Sequence, residues 1–430
     1  MTTDAAAEAP TPNGELPSLR MRWILFALLA MSGILALVDR QIISVLKPEM
    51  AAELGWTDDD YGTLGAWFQG ATAVALLGAG PLVDKLGVKW ANPIAVFTWS
   101  VAALFHGWAH SLVQFTLCRI GLGATEAAVT PTAIKTIATI FPPHMRSTGV
   151  GLQNAIASFG AISAPFIIPL IAVPFGWRGA FVMAGIAGVV WSLVWVATTR
   201  KIRFGDTVAV SRLVGAAPAR SILRERAGWA IAGAKFLSDS TWWLLLFWMP
   251  DFLHRQFGLA GLGLAPYLAV AYAGAAFGSL VSGTLATHFL ARGVPVNRVR
   301  KTAMLISGLL VLPMPVALLA GSPLAAAGVL ALVLAAHQGF STNLFALITD
   351  VTAKSKIGRM TSFGVFSGNI GGMAILKIAG MVLAAGLGYL PLFLFASVSY
   401  LLALGWIHLM LPNIQLVDGE RGEAPVGMGH

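Results

Sequence analysis

The sequence predicts an all-α membrane protein with twelve transmembrane helices arranged in two six-helix bundles. Of its 430 residues, 57% are hydrophobic and only 11% are charged, and the mean hydropathy is +0.77. A soluble globule of this length does not bury that much apolar surface. The apolar runs are long and rich in Ala, Leu, Gly and Val, as helices that cross a bilayer core of about 30 Å require. One polar stretch in the middle separates the runs into two equal sets.

Twelve apolar segments follow one another along the chain, mostly joined by short turns. Each is close to the length of about 20 residues that a helix needs to cross the hydrocarbon core. The first six lie at 23–46, 61–82, 90–109, 112–140, 147–172 and 177–199. The second six lie at 228–253, 264–290, 302–320, 324–349, 360–387 and 390–411. Two equal sets indicate an internal duplication.

The segments between and around the spans complete the predicted domain organisation. Residues 1–20 carry acids and prolines ahead of the first span, unlike a cleavable signal peptide, and are predicted to be a disordered cytoplasmic tail. The two bundles are predicted at 21–199 and 228–412, with a polar, basic cytoplasmic linker at 200–227 and a cytoplasmic tail at 413–430. Cys118 is the one cysteine and lies inside a span, so an internal disulfide is excluded.

The positions of lysine and arginine predict the orientation. With both termini in the cytoplasm, twenty of the 28 basic residues face inward and three face outward, namely Lys47, Arg178 and Arg255, while five lie within spans. Cationic loops stay in the cytoplasm, so this bias predicts that both termini are inside. The expected location of this multi-pass protein is the bacterial inner membrane.

The net charge of +9 follows from this topology and does not indicate nucleic-acid binding. The expected surroundings are a lipid bilayer, whose anionic lipids a basic inner face favours. The His and Cys residues do not have metal-ligand spacing, and neither a phosphate-binding glycine loop nor a nucleophile elbow occurs. We therefore expect that the protein binds neither a cofactor nor a metal and that it is not an enzyme.

A small set of charges lies inside the predicted spans, where each costs at least about 3 kcal/mol unless it faces a partner or a hydrated cavity. Arg119 and Glu126 are seven residues apart and share one face of the fourth span. Asp39 and Arg40 on the first span lie at a similar depth, so the four groups are predicted to converge. The remaining charges of the set are Lys135, Lys235, Asp239 and Lys377.

This convergence favours proton-coupled binding of an anion. A buried carboxylate beside a guanidinium can change protonation with small changes in hydration, so Asp39 and Glu126 are the candidate proton-coupling groups. Arginine binds a carboxylate with two hydrogen bonds and keeps its charge, so Arg40 and Arg119 are candidate substrate ligands. The alternative is a set of structural salt bridges that lock the N-terminal bundle.

Further candidate substrate ligands lie on other spans. Lys235 and Asp239 are four residues apart and are followed by Trp242 and Trp243; a self-neutralising ion pair is the alternative to a role in the cavity. His337 in mid-span could titrate, or it could be a neutral, hydrogen-bonded histidine. The amides suited to hydroxyl groups, which could instead join helices, are Gln153, Asn154 and Asn369. The last lies in TSFGVFSGNIGG, whose small residues suit close helix contact or a backbone that faces a ligand.

The loop GPLVDKLGVK at 80–89 resembles the signature G-x-L-x-D-[RK]-x-G-[RK]-[RK] of the major facilitator superfamily. The matching positions are Gly80, Leu82, Asp84, Lys85, Gly87 and Lys89. The counterpart GTLATHFLARG at 283–293 lacks the acid. In that superfamily these loops govern the cytoplasmic gate, so the resemblance implies a gating role for Gly80, Asp84, Lys85, Gly87 and Lys89.

Longer segments resemble the hexuronate branch of the anion:cation symporters within that superfamily. They are VDRQIISVLKPEM at 38–50, the stretch at 119–165, FGWRGAF at 175–181 and KFLSDSTWWLLLFWMPDFL at 235–253. The resemblance implies transport roles for Asp39, Arg40, Arg119, Glu126, Asn154 and Asn369. The chain departs from that branch in GATEAAVTP on the fourth span, LQNAIAS on the fifth and Asp-Ser on the seventh, which bears on the substrate more than on the mechanism.

Together these observations predict a secondary active transporter that takes up a sugar acid monoanion, such as glucuronate or galacturonate, with H⁺. The expected partners are this small organic anion and H⁺, and the expected state is a monomer. An importer of another organic carboxylate, such as an aldonate, a tartrate-like acid or an aromatic acid, is the alternative. An exporter of amphipathic cations would be expected to have acids rather than arginines in its cavity, and a membrane receptor would carry a soluble output domain.

Overall fold

The computed structural model describes residues 17–142, 145–202, 204, 220–353 and 356–414, and these are almost entirely helical. The N-terminal half, which precedes residue 205, contains α1 (Leu19–Val45), α2 (Lys47–Leu54), α3 (Asp58–His106), α4 (Leu112–Glu126), α5 (Val129–Ile140) and α6 (Arg146–Thr199). The C-terminal half contains α7 (Arg220–Leu223), α8 (Arg226–Phe257), α9 (Ala265–Ala291), α10 (Val296–Val311), α11 (Pro323–Val351), α12 (Ile357–Ala384) and α13 (Leu390–Met410). Short 3₁₀ helices lie at Gly261–Leu264 and Met314–Leu319.

Eight helices of the described residues are long and apolar enough to cross a membrane. Two of them, in α3 and α6, each hold two predicted spans, which are separated at Gly87 (φ 69°) and Gly176 (φ 68°). Only glycine adopts this left-handed backbone without strain, so the two glycines fix where one span ends and the next begins. With the pair α4–α5 and helix α8, the structure contains the twelve helical segments that the sequence predicts.

The fourth predicted span, 112–140, is wrong as a single helix. The structure divides it into α4 and α5 at Ala127 and Ala128. Pro131 explains the break, because its ring occupies the place of an amide donor and collides with the carbonyl four residues earlier, that of Ala127. The break directly follows Glu126, so this carboxylate lies at the end of a helix and not in its middle.

The predicted linker at 200–227 is also not wholly irregular. The short helix α7 lies within it, and α8 begins at Arg226, before the predicted end. Trp229 donates a hydrogen bond through Nε1 to the carbonyl of Leu223 (2.9 Å), which ties α7 to the first turn of α8. Residues 205–219 lie outside the described residues.

Small residues let the helices of the C-terminal half approach closely. A methyl group added to Gly371 of α12 would lie 2.3 Å from the carbonyl oxygen of Phe236 on α8. On α9, Gly274 and Gly278 lie in the same way against the backbone of α11, at Ala331 and Ala335. Lipid gives no hydrophobic drive for helix association, so this close contact supplies the dispersion energy that holds the helices together. The small residues of TSFGVFSGNIGG therefore serve helix contact.

Two ends of the helical bundle must be distinguished. We call the end that carries Leu19 and Ile414 the terminal face and the opposite end the distal face. The two halves contact each other through α3 and α12, α6 and α9, and α1 and α8. A methyl group added at Gly62, near the distal start of α3, would lie 2.8 Å from the Cα atom of Gly380, near the distal end of α12. The seam between the halves is therefore closed toward the distal face.

Candidate functional site

The four intramembrane charges of the N-terminal half come together between α1 and α4. Arg40 donates through Nε to Glu126 Oε2 at 2.5 Å and is 20% exposed, whereas the Glu126 side chain is 0% exposed. Asp39 is 2% exposed and Arg119 0%. Asp39 lies close enough to Arg40, Arg119 and Glu126 to interact electrostatically with all three. The structure thus contains one ion pair and, beside it, two buried charges of opposite sign.

Asp39 and Arg119 are incompletely satisfied. Within the described residues, Asp39 Oδ1 and all three guanidinium nitrogens of Arg119 lack a hydrogen-bond partner. Arg119 instead lies over two aromatic rings, with its Cζ atom 6.0 Å from the Phe68 ring centre and 5.7 Å from that of Phe181. A cation over an aromatic face is stabilised by the ring quadrupole, but its donors remain available for an anion.

Arg40 links this cluster to the C-terminal half. Its Cζ atom lies 5.8 Å from the ring centre of Phe68 on α3 and 6.0 Å from that of Trp243 on α8. Trp243 is held by α12, because a methyl group added to Gly372 would lie 2.4 Å from Trp243 Cδ1. The partly exposed guanidinium of Arg40 therefore lies at the seam of the two halves, where a midplane ligand would contact both.

The C-terminal half holds a second polar group of residues. Lys235 and Asp239 form the ion pair that their spacing allows, with 2.8 Å between Nζ and Oδ2. Trp242 stacks on His337 with ring centres 5.1 Å apart and an interplanar angle of 17°. His337 Nδ1 and the Tyr400 hydroxyl share a hydrogen bond of 2.6 Å. This hydrogen bond fixes the imidazole and, through it, the face that Trp242 presents.

The three candidate amides differ in their surroundings. Gln153 donates through Nε2 to the carbonyl of Leu29 (3.3 Å) and so connects α6 to α1. Asn369 donates to the carbonyl of Val365 (2.9 Å), within its own helix. Asn154 lies in α6, but its side chain is outside the described residues. In this conformation Gln153 joins two helices, which is one of the two roles expected for it.

The 80–89 loop lies at the terminal face. Asp84 accepts a hydrogen bond from Lys135 Nζ at 2.9 Å, and Lys89 Nζ donates to the carbonyl of Arg200 at 3.1 Å. Gly87 supplies the left-handed residue of the turn, and Gly80 and Lys85 lie in the same segment. Each of these contacts joins helices of the N-terminal half. In the C-terminal half, Arg300 likewise pairs with Asp350 at 2.9 Å.

The distal face carries an ion network that the sequence analysis missed. Lys47 Nζ lies 2.6 Å from Asp251 Oδ1 and 2.7 Å from Asp58 Oδ1. Arg255 pairs with both carboxylates, and Tyr389 donates its hydroxyl hydrogen to Asp251 Oδ2. We call these five residues the distal network. The sequence places Lys47 outside the membrane, and its one signal for the network is that opposite charges end spans 1 and 7 at equal depth.

The distal network joins the two halves, and a further pair beside it does the same. Lys377 of α12 lies with its Nζ atom 2.5 Å from Asp59 Oδ1 of α3. Burial raises the pKa of Asp58, but the neighbouring cations Lys47 and Arg255 more than offset this, so the pKa lies below the usual value of 3.8. Asp58 therefore stays ionised and holds Lys47 within the N-terminal half and Arg255 across the seam.

The chain is similar to known proteins over most of its length. The family model described as Major Facilitator Superfamily matches residues 29–375. The chain is 25% identical to the D-galactonate transporter of Escherichia coli strain CFT073, over 91% of this chain and 96% of that protein. It is 26% identical to the hexuronate transporter of Escherichia coli strain K12, over 93% of this chain and 96% of that one.

A solved structure shares the fold. It is the structure of a bacterial homologue of the human lysosomal transporter Spinster in an inward-facing, unoccupied conformation. The two structures superpose with a TM-score of 0.72 at 20% sequence identity, over 92% of this chain and 96% of that one. The family and these relatives are transporters, not enzymes. The family model matches from α1 to α12, the structure has twelve helical segments, and the 80–89 loop carries the expected signature. The chain therefore belongs to the Major Facilitator Superfamily.

Proposed function

We propose that this transporter imports a sugar acid monoanion, hexuronate in the first place, together with H⁺. The observation that carries the proposal is the cluster of two guanidinium groups and two carboxylates, with one ion pair formed and Asp39 and Arg119 left without ion partners in the described structure. A fixed cation with free donors suits a carboxylate, and a carboxylate without a cation partner suits a proton. The names of the hexuronate and D-galactonate relatives support the substrate class.

The charges of the cluster suggest how proton and anion are coupled. With both acids ionised, the two carboxylates balance the two guanidinium groups. A bound monoanion then leaves one uncompensated negative charge in a low-dielectric environment, which is costly. Protonation of Asp39 or Glu126 removes it. One proton per monoanion makes the cycle electrically silent, whereas two make it sensitive to the membrane potential.

The candidate residues of the C-terminal half supply the hydroxyl contacts in this proposal. Trp242 and Trp243 offer flat faces for a sugar ring, and Asn369 offers an amide. Lys235 and Asp239 neutralise each other, so they can donate to and accept from hydroxyl groups without adding a second binding point for a carboxylate. His337 holds Trp242. The site thus suits one carboxylate at the N-terminal half and hydroxyls at the other.

The proposal includes the orientation and the gates. The terminal face is cytoplasmic, in the inner membrane of a bacterium, and the distal face is outside, as the lysine and arginine positions predict. The two halves, 21–199 and 228–412, move against each other around the midplane site as a monomer. The distal network and the 80–89 loop are then the outer and inner gates.

Uptake by reconstituted protein tests the proposal. Proteoliposomes should accumulate labelled glucuronate when a proton gradient is imposed inward, and a protonophore should abolish accumulation. Competition by unlabelled galactonate, tartrate and an aromatic carboxylate then ranks the alternatives. Galactonate is the strongest competitor to consider, because one relative is named for it. Absence of uptake for every one of these acids would leave the importer hypothesis without support.

A further inference from the structure

Gln69 lies on α3 where this helix meets α12, and it directly follows Phe68. A methyl group added to Gly65, four residues before Gln69, would lie 3.0 Å from Leu376 of α12 and 3.4 Å from the Phe247 ring of α8. A methyl group added to Gly70, the residue after Gln69, would lie 2.8 Å from Met373 Sδ. Residues four apart share a helix face, so Gln69 lies on the face of α3 that meets the C-terminal half.

Gln69 is fully buried and unsatisfied. It is 0% exposed, and within the described residues neither Nε2 nor Oε1 has a hydrogen-bond partner. Asn92, also buried on α3, provides the contrast, because its Nδ2 donates to the Val88 carbonyl (3.1 Å) and to Thr136 Oγ1 (2.8 Å). An unpaired buried amide destabilises the folded protein, whereas an apolar side chain of the same shape would not. A leucine at position 69 would therefore stabilise the closed seam better than Gln69 does.

The neighbours of Gln69 indicate what its amide is for. The adjacent residue, Phe68, carries both guanidinium groups against its ring, with Arg40 at 5.8 Å and Arg119 at 6.0 Å. The Arg119 donors are likewise unpartnered within the described residues. Gln69 thus directly follows the residue whose ring carries both guanidinium groups, at the seam that is closed toward the distal face.

We propose that Gln69 is a specificity-determining substrate ligand, which contacts a hydroxyl group of a polyhydroxy carboxylate whose carboxylate binds Arg119. This inference rests on the proposed function. The contact forms when the distal seam opens, because separation of α3 from α12 uncovers the amide in the vestibule that the anion enters. An amide both donates and accepts, as a hydroxyl group does, and a methyl or methylene group could not satisfy it.

The kinetic test is Gln69→Leu, which keeps the approximate size and removes the amide. KM for glucuronate, measured from the distal side, should rise about tenfold. Thermal stability should be unchanged or higher, since an unsatisfied group is removed. For the monodeoxy analogue that lacks the contacted hydroxyl, the KM values of wild type and variant should agree. Unchanged KM for glucuronate, or an equal loss for every deoxy analogue, overturns the inference. Asn92→Leu is the matched control and should lower stability instead.

An accessibility test does not depend on the substrate. The single cysteine is Cys118, so Cys118→Ser provides a cysteine-free background for Gln69→Cys. A membrane-impermeant maleimide added outside intact cells should label this variant. Ser100→Cys on the same helix should stay unlabelled, because Ser100 is buried against Gly188 within the N-terminal half. Absence of labelling at position 69 overturns the inference. If wild type transports none of the acids tested while labelling occurs, the proposed function has failed and, with it, the substrate contact.

Discussion

Asp39 and Arg119 differ from the other intramembrane charges because the described structure gives them no ion partner. Arg40 pairs with Glu126, Lys135 with Asp84 and Lys235 with Asp239. Leaving a charge unpaired in a low-dielectric interior is costly, so such a group is retained where another state of the protein uses it. At the residue scale, these two side chains are therefore the most informative positions to change.

Asp39→Asn and Glu126→Gln should each abolish proton-driven accumulation, because an amide cannot carry the transported proton. The ratio of internal to external substrate should fall to about one, whereas exchange of labelled for unlabelled substrate should persist. Paired accumulation and exchange assays in the same vesicles measure both. If both variants accumulate substrate as wild type does, neither carboxylate couples the proton.

Arg119→Lys should weaken binding while keeping the charge. An ammonium group cannot form two parallel hydrogen bonds with a carboxylate, so KM should rise by about tenfold or more. Lys301→Arg, a change of similar chemistry at the terminal face, should leave KM unchanged and serves as the control. Equal KM values for Arg119→Lys and wild type would mean that Arg119 does not hold the carboxylate.

At the scale of elements, the contact between α8 and α12 explains why α12, the eleventh predicted span, is rich in glycine. Gly364, Gly368, Gly371 and Gly372 all lie against α8, at Ile231, Asp239, Phe236 and Trp243. A side chain at any of them would push α12 away from the residues that form the C-terminal side of the site. Small residues at this spacing are thus needed for helix contact before any ligand is considered.

Gly371→Ala should destabilise the protein, because the added methyl group meets backbone atoms that cannot rotate away. We expect a loss of about 1–3 kcal/mol, with a lower unfolding temperature in detergent. Gly405→Ala on α13 is the control, since a methyl group there has no neighbour within 4 Å, and Ala is the better helix former. If Gly371→Ala is as stable as this control, the close contact does not hold α12.

At the scale of the whole molecule, the described residues form ion pairs between the two halves at the distal face. The terminal-face pairs Lys135–Asp84, Arg300–Asp350 and Lys356–Glu225 each stay within one half. The distal pairs Lys47–Asp251, Arg255–Asp58 and Lys377–Asp59 each cross from one half to the other. The distal pairs therefore stabilise the conformation in which the distal face is closed.

Asp251→Asn should shift the equilibrium toward distal opening, because it removes the negative charge that Lys47, Arg255 and Tyr389 share. Distances between spin labels placed on the distal ends of α1 and α8 should lengthen in a larger fraction of molecules. Asp350→Asn removes a pair that lies within one half and should leave these distances unchanged. Identical distance distributions for Asp251→Asn and wild type would contradict a gating role of the distal network.

The pKa of Asp58 predicts that this network does not sense mild acid. Because the pKa is held below 3.8, the stabilisation from its ion pairs is fully present above that value and is lost only as pH falls through the lowered pKa. Asp58→Asn should therefore favour distal opening to the same extent at about pH 5 and about pH 8. The same label distances measured at both values test this. A much larger effect at one of them would show that Asp58 titrates in that window.

The sequence by itself determined the twelve spans, the loop with the superfamily signature and the convergence of charges on spans 1 and 4, because hydropathy, signature residues and helical spacing are local properties of the chain. It also predicted the Lys235–Asp239 pair from a spacing of four. The break at Ala127 also has a local signal, Pro131, although hydropathy alone predicts one continuous span.

Only the tertiary structure decided which charges pair across helices. Arg40 was paired with Glu126, which lies 86 residues away, and Lys47 with Asp251, which lies 204 residues away. It also decided that Gln69 has no hydrogen-bond partner among the described residues and that the seam is closed at the distal face. These outcomes depend on which helix faces meet, and the meeting of faces is set by the packing of both halves together rather than by any local pattern.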